Sequence, residues 1–285
     1  MKKIAILGCE NSHANTFLNY VKNNKEKFSD VEFVGVYSPD REAAEKLGAE
    51  FNIPVLDNYD DLVGKVDAIM ITARHGDNHY KFAKPYMKDG IPMFIDKPVT
   101  KSEEDARALV ADLRANNVRV CGGSSLHFST FLDYLRARAK ALGENVHSGY
   151  FRAPVSPDSP YGGFSFYSPH NVASMCHLFG FYPNTVYATK VGNKINAMVN
   201  YDTVTAHLTF TDDCWAYYAY LGHKDGIEGG QFALDNVGPK EFDHFYAILN
   251  GGESDDYEQL VSSVFILNAI ERSFNSGKIE EVHRL

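Results

Sequence analysis

Lys97 lies in the stretch Phe94-Ile95-Asp96-Lys97-Pro98, just past the short apolar run Pro92-Met93-Phe94-Ile95. That run follows the Asp89-Gly90 breaker and reads as a buried strand of a parallel sheet. Ligands bind at the carboxyl edge of such sheets, and a lysine partly desolvated there loses proton affinity and can act as a general acid or base. On these five residues alone, an exposed loop lysine ahead of a helix capped by Thr100 or Ser102 explains the pattern too. His170 is a second candidate for proton handling. It shares a helix face with His177 seven residues later, and His177 is either a substrate contact or a satisfied core histidine. His75 and His79 have metal-ligand spacing but flank a helix start and lack a third ligand, so no metal site is expected.

These side chains need strands and helices to aim them. Apolar runs at 4–7, 31–37, 52–56, 66–71, 92–95 and 118–121 read as strands, with helical patterns near 14–21, 41–47, 79–87 and 102–116 between them. Ser102 and Asp105 resemble a capping box for the last of these helices. The alternation predicts an α/β domain with a doubly wound parallel sheet over residues 1–122. After Gly122-Gly123 the pattern changes to a helix near 129–141, a strand at 146–152, and a proline- and glycine-rich loop. Consecutive strand signals follow at 184–190, 197–201, 203–210 and 215–221, with Thr211-Asp212-Asp213 as a hairpin turn and a last amphipathic helix over 255–274. Residues 123–285 are therefore expected to form an α+β domain with a mainly antiparallel sheet. Tyr217, Tyr218 and Tyr220, with Trp215 nearby, imply a face covered by another subunit, hence a homodimer or homotetramer.

The first strand-to-helix turn is Gly8-Cys9-Glu10-Asn11-Ser12-His13. Gly8 holds the first glycine position of a dinucleotide fingerprint, but Glu10 and His13 hold the second and third. A carboxylate at position 10 narrows the approach and repels phosphate, while helix amides near Ser12 and His13 attract an anion. At the end of the second strand Ser38 replaces the acid that grips ribose hydroxyls, and Arg41 follows, which tilts the expected cofactor from NAD toward NADP. Asp40 is also placed to do no more than cap the next helix.

The net charge of −9 disfavours nucleic acid and anionic membrane surfaces as partners and leaves a small-molecule substrate. The apolar run after Met1-Lys2-Lys3 stops at Gly8, too short for a signal sequence or span. Four scattered cysteines indicate neither zinc nor a disulfide framework, which makes the cytoplasm the expected compartment.

In order and spacing, these segments resemble the glucose-fructose oxidoreductase and inositol dehydrogenase family, also called Gfo/Idh/MocA. Asp96-Lys97-Pro98 is similar to its Glu-Lys-Pro signature, residues 66–71 and His79 stand in family positions, and His170 lies ten residues before Gly180 as in its catalytic-histidine helix. The tail from Asn268 to Lys278 resembles the family's last helix. The resemblance implies an α/β Rossmann domain over residues 1–122 and an α+β domain over 123–285 whose open-faced, mainly antiparallel sheet serves substrate binding and oligomerisation. It implies NAD(P)-linked hydride transfer on a sugar-like or polyol-like substrate, with Lys97 as general acid/base, His170 assisting, and Lys97-Pro98 in the cis form. It also implies cofactor contacts from Gly8, Glu10, Asn11, Ser12, His13, Ser38, Arg41, Thr72, His79, Asp96 and Pro98. Substrate contacts are expected from His127, Arg152, Tyr167 and His177. The acids that many members place around the histidine fall on Phe166 and Ala173, so Tyr161, Tyr167 or Ser174 would have to orient it. Two other functions remain open: a dinucleotide- and metabolite-binding sensor without turnover, and an NAD-dependent, redox-assisted glycosidase.

Overall fold

The computed structural model describes residues 1–285, which form two compact units. The chain begins with β1 (Lys2–Leu7), α1 (Ser12–Asn23), β2 (Val31–Tyr37), α2 (Arg41–Phe51), β3 (Ala68–Ile71), α3 (Asp77–Ala83), β4 (Met93–Asp96), α4 (Glu103–Ala115) and β5 (Val120–Gly123). The five strands are parallel and ordered β2-β1-β3-β4-β5. Chain direction across the sheet reverses at the β1/β3 boundary, which opens a crevice at the strands' carboxyl ends. Every residue of β3 and β4 is buried, as expected of strands covered on both faces. The expected strand at 52–56 is reduced to one bridge between Val36 and Val55, because Pro54 has no N–H to continue a ladder.

The chain continues with α5 (Thr130–Leu142), β6 (Val146–Pro154), α6 (Pro169–Phe179), β7 (Thr185–Val191), β8 (Lys194–Asn200), β9 (Thr205–Thr211), β10 (Tyr217–His223) and β11 (Gly226–Phe232). It closes with α7 (Val237–Leu249), α8 (Tyr257–Ser276) and the short β12 (Glu280–Glu281). The second sheet runs β11-β10-β6-β9-β8-β7-β12. Thr211-Asp212-Asp213 is not the turn of a hairpin, since β9 and β10 both pair with β6, β9 in parallel and β10 antiparallel. Alternation within each strand signals a strand but not its neighbour. Instead Asp213 ties this connection to Lys194 at 2.7 Å and to the Thr211 hydroxyl. One face of the sheet carries the core, with Leu132, Leu135, Val172, Met175, Ile266 and Ile270 from three helices packed on Phe151, Leu208 and Leu221.

Residues 238–260, which the sequence groups with the second domain, pack with the first unit. The cause is aromatic: Phe242 and Phe245 of α7 are fully buried, Phe242 packs edge-on against Phe28 at 5.2 Å, and Phe17 does the same to Phe94.

Candidate active site

The first turn is held tightly to the loop after β3. Gly8 has a φ of +88°, and a Cβ there would come within 2.3 Å of the Ala73 Cα, so only glycine fits. Asn11 caps α1 by accepting from the His13 N–H at 2.8 Å and donates to the Thr72 carbonyl at 2.6 Å. The Thr72 hydroxyl donates to the Gly8 carbonyl. Ser12 stays exposed at the helix start. Glu10 ties the turn both to the end of β2 and to the same loop after β3. Its Oε2 accepts from Ser38 Oγ at 2.7 Å and the Cys9 N–H at 2.9 Å, and its Oε1 accepts from the Arg74 N–H at 2.8 Å. Arg41, expected beside Ser38, instead reaches Glu45 at 2.9 Å and Asp57 at 3.0 Å in exposed ion pairs.

Lys97 follows β4 directly, is 6% exposed, and joins Pro98 through a cis peptide bond. Asp96 fixes the corner, because its Oδ1 accepts from the Lys97 N–H at 2.7 Å while its Oδ2 lies 2.9 Å from His13 Nδ1. Burial alone would raise the Asp96 carboxyl, yet His13 and Lys97 together hold it down to about 2. Burial works to lower His13, but Asp96 outweighs it and lifts the imidazole above its usual value. The same cluster includes a residue that motif spacing does not flag. Glu241 of α7 is 2% exposed, and its Oε1 has no hydrogen-bond partner. Burial pushes its carboxyl up to about 8, with His13 and Lys97 acting against that and Asp96 adding to it. A signal exists in the sequence: Val237, Glu241, Phe245 and Ile248 fall on one helical stripe, so an acid interrupts an apolar face. His79 is wholly buried, with its Nε2 2.7 Å from the Ala73 carbonyl, and burial lowers its proton affinity. It therefore braces the loop that packs on Gly8 and is not open to a ligand. Pro98 is likewise buried.

In the second unit α6 carries His170, which is 4% exposed, with Nδ1 2.8 Å from Ser124 Oγ. The residue against the ring nitrogen is thus Ser124, and Ser174 donates to the His170 backbone carbonyl at 3.1 Å. The rings of Tyr167 and Tyr217 lie 5.5 Å and 6.1 Å from the imidazole. Phe166 and Ala173 are buried, so an apolar wall stands where the resemblance would put acids. His177 turns to Asp133 at 3.0 Å, burial lowers its proton affinity, and its ring lies 6.0 Å from that of His127. Arg152 is not part of this group. Its neighbour Phe151 faces the core that α6 covers, whereas Arg152 lies over Tyr218 in a groove of about 340 Å³ on the other face, with Tyr150, His207, Thr209 and Tyr220.

Residues 2–124 match the family model described as the oxidoreductase family, NAD-binding Rossmann fold, Gfo/Idh/MocA. The chain is 26% identical over 220 residues to the uncharacterized oxidoreductase YhhX of Escherichia coli (strain K12), a match taking in 73% of this chain and 62% of that protein. Myo-inositol 2-dehydrogenase from Lactobacillus plantarum shares the fold with a TM-score of 0.84 at 15% identity, covering 99% of both chains. GenD2 from gentamicin A biosynthesis, solved in complex with NAD, does so with a TM-score of 0.82 at 15% identity, covering 99% of this chain and 96% of its own. No helix is long and apolar enough to cross a membrane. Residues 2–124 are thus matched to the NAD-binding Rossmann domain of the Gfo/Idh/MocA oxidoreductase family, and the solved structures extend the likeness of fold to the rest of the chain.

Proposed function

We propose that the protein is an NAD(P)-dependent oxidoreductase that moves a hydride between nicotinamide and a hydroxyl or carbonyl carbon of a sugar-like, polyol-like or related small molecule. The observation that carries this reading is Lys97, nearly buried at the carboxyl end of β4 with its backbone pinned by Asp96. The first unit offers a tight strand-to-helix turn and a helix start suited to a dinucleotide. Gly8 and Ala73 meet without a side chain between them, Asn11 and Ser12 open α1, and Glu10 is held in place by three donors. Bound nicotinamide supplies the hydride chemistry. Lys97 takes the hydroxyl proton at Nζ during oxidation and returns it during reduction. Asp96 and His13 hold the corner from which the lysine extends. In the second unit Ser124 sets the imidazole of His170, which holds or relays a proton on the substrate. Tyr167, His127 and His177 are the proposed contacts for the rest of the molecule.

The apolar neighbours Phe166 and Ala173 favour one second reading, a sensor that binds dinucleotide and metabolite without turnover. A screen of nicotinamide absorbance against sugars and polyols separates the readings. Reduced cofactor appearing with one of them supports the oxidoreductase, binding without it supports the sensor, and release of an aglycone without net reduction points to a glycosidase. The compartment proposed for this chemistry is the cytoplasm, and the quaternary structure a homodimer or homotetramer built on the open sheet face.

A further inference from the structure

We infer that Glu10 selects a dinucleotide with a free 2′-hydroxyl, doing from the first turn what an acid at the end of the second strand does in NAD enzymes. The inference rests on reading the first unit as an NAD(P) site. In such folds the strand-end acid accepts from the ribose hydroxyls, and an arginine nearby accommodates a 2′-phosphate. This chain has Ser38 at that strand end, and Ser38 cannot bring a charge. It brings Glu10 instead: the hydroxyl donates to Glu10 Oε2 at 2.7 Å while accepting from the Asp40 N–H at 3.1 Å. The carboxylate is fixed there by two backbone amides, Cys9 at 2.9 Å and Arg74 at 2.8 Å. A carboxylate offers about four acceptor positions, so the three donors leave one for a hydroxyl.

The charges around Ser38 point the same way. Burial and then the Glu10 carboxylate push the Cys9 thiol up to about 12, with Asp40 adding to the effect. Asp40 caps α2 through the Ala43 N–H at 3.1 Å, and Arg41 is occupied by Glu45 and Asp57. A 2′-phosphate placed at this strand end therefore meets two anions and an arginine already paired. The hydroxyl of NAD meets an acceptor. The preference that Ser38 and Arg41 imply by type is reversed by what they are bonded to.

Calorimetric titration of NAD and of NADP into the full chain without substrate tests the inference, with thermal melts confirming that each variant is folded. Wild type should bind NAD at least about tenfold more tightly than NADP. Glu10→Gln, which keeps an acceptor but loses the charge, should bring the ratio to within about threefold, mainly by tightening NADP. The wild-type ratio should also narrow as salt is raised, because screening weakens the repulsion of the extra phosphate. That measurement needs no variant to fold. Equal or tighter NADP binding by wild type, a ratio unmoved in a folded Glu10→Gln protein, or a ratio insensitive to salt would each overturn the assignment. A folded wild type that bound neither nucleotide would overturn the dinucleotide site itself, and the assignment with it.

Discussion

Ser124 shows what one side chain can do for another. With Phe166 and Ala173 apolar, the hydroxyl 2.8 Å from Nδ1 is a polar group that holds the His170 ring, and it also accepts from the Leu126 N–H at 3.3 Å. Ser124→Ala should lower turnover about tenfold, the worth of one buried hydrogen bond of about 1–1.5 kcal/mol, and displace the pH profile of kcat/KM. A variant with the wild-type profile and rate would give His170 another orienting group. The places of Gly8 and Lys97 at strand ends were legible in the sequence, and His170 was legible through its likeness to a family helix ending at Gly180. Ser124 was not, because its contact spans 46 residues and depends on where α6 lies. Arg41 failed for a different reason: residue type shows a positive charge but not the Glu45 and Asp57 that occupy it.

At the scale of elements, apolar runs located β1 to β5 within a few residues, since a buried parallel strand has little choice of composition. Partner order in the second sheet was hidden, because β6 enters between β9 and β10 from earlier in the chain. Helix α7 was hidden too, and it delivers Glu241 to the buried cluster around Asp96. Glu241 has a folded pKa of about 8 against an ordinary value of 4.5. The unfolded chain thus releases this proton first, and the native state should lose stability as pH rises from 4.5 to about 8. Glu241→Gln carries no titrating proton. Its melting temperature should fall less than that of wild type over the same window, with the gap in its favour widest at the alkaline end. Melting curves that run parallel across that window would show that Glu241 is already ionised in the folded protein.

For the molecule as a whole, the open face of the second sheet raises the question of what covers it. Tyr187, Met198, His207, Tyr150 and Tyr220 are cross-strand neighbours in one row over five strands, and Tyr150 stacks on His207 at 5.0 Å. The row leaves Tyr150, Tyr187 and Met198 exposed on one face, and a contiguous apolar patch is where a partner surface is expected. Light scattering at micromolar concentration should return a dimer or tetramer, and Tyr150→Asp should shift it toward monomer. A monomeric wild type would contradict that proposal while leaving the chemistry untouched. The proposed chemistry turns on Lys97, and the most direct measurement pairs single-turnover hydride transfer with cofactor titration in wild type, Lys97→Ala and Lys97→Arg. Both variants should lose roughly 10²–10⁴ in rate while binding the dinucleotide within about twofold of wild type, since a guanidinium stays protonated and cannot accept the proton. A Lys97→Arg protein that turned over at the wild-type rate would contradict the account and leave the lysine an electrostatic role alone.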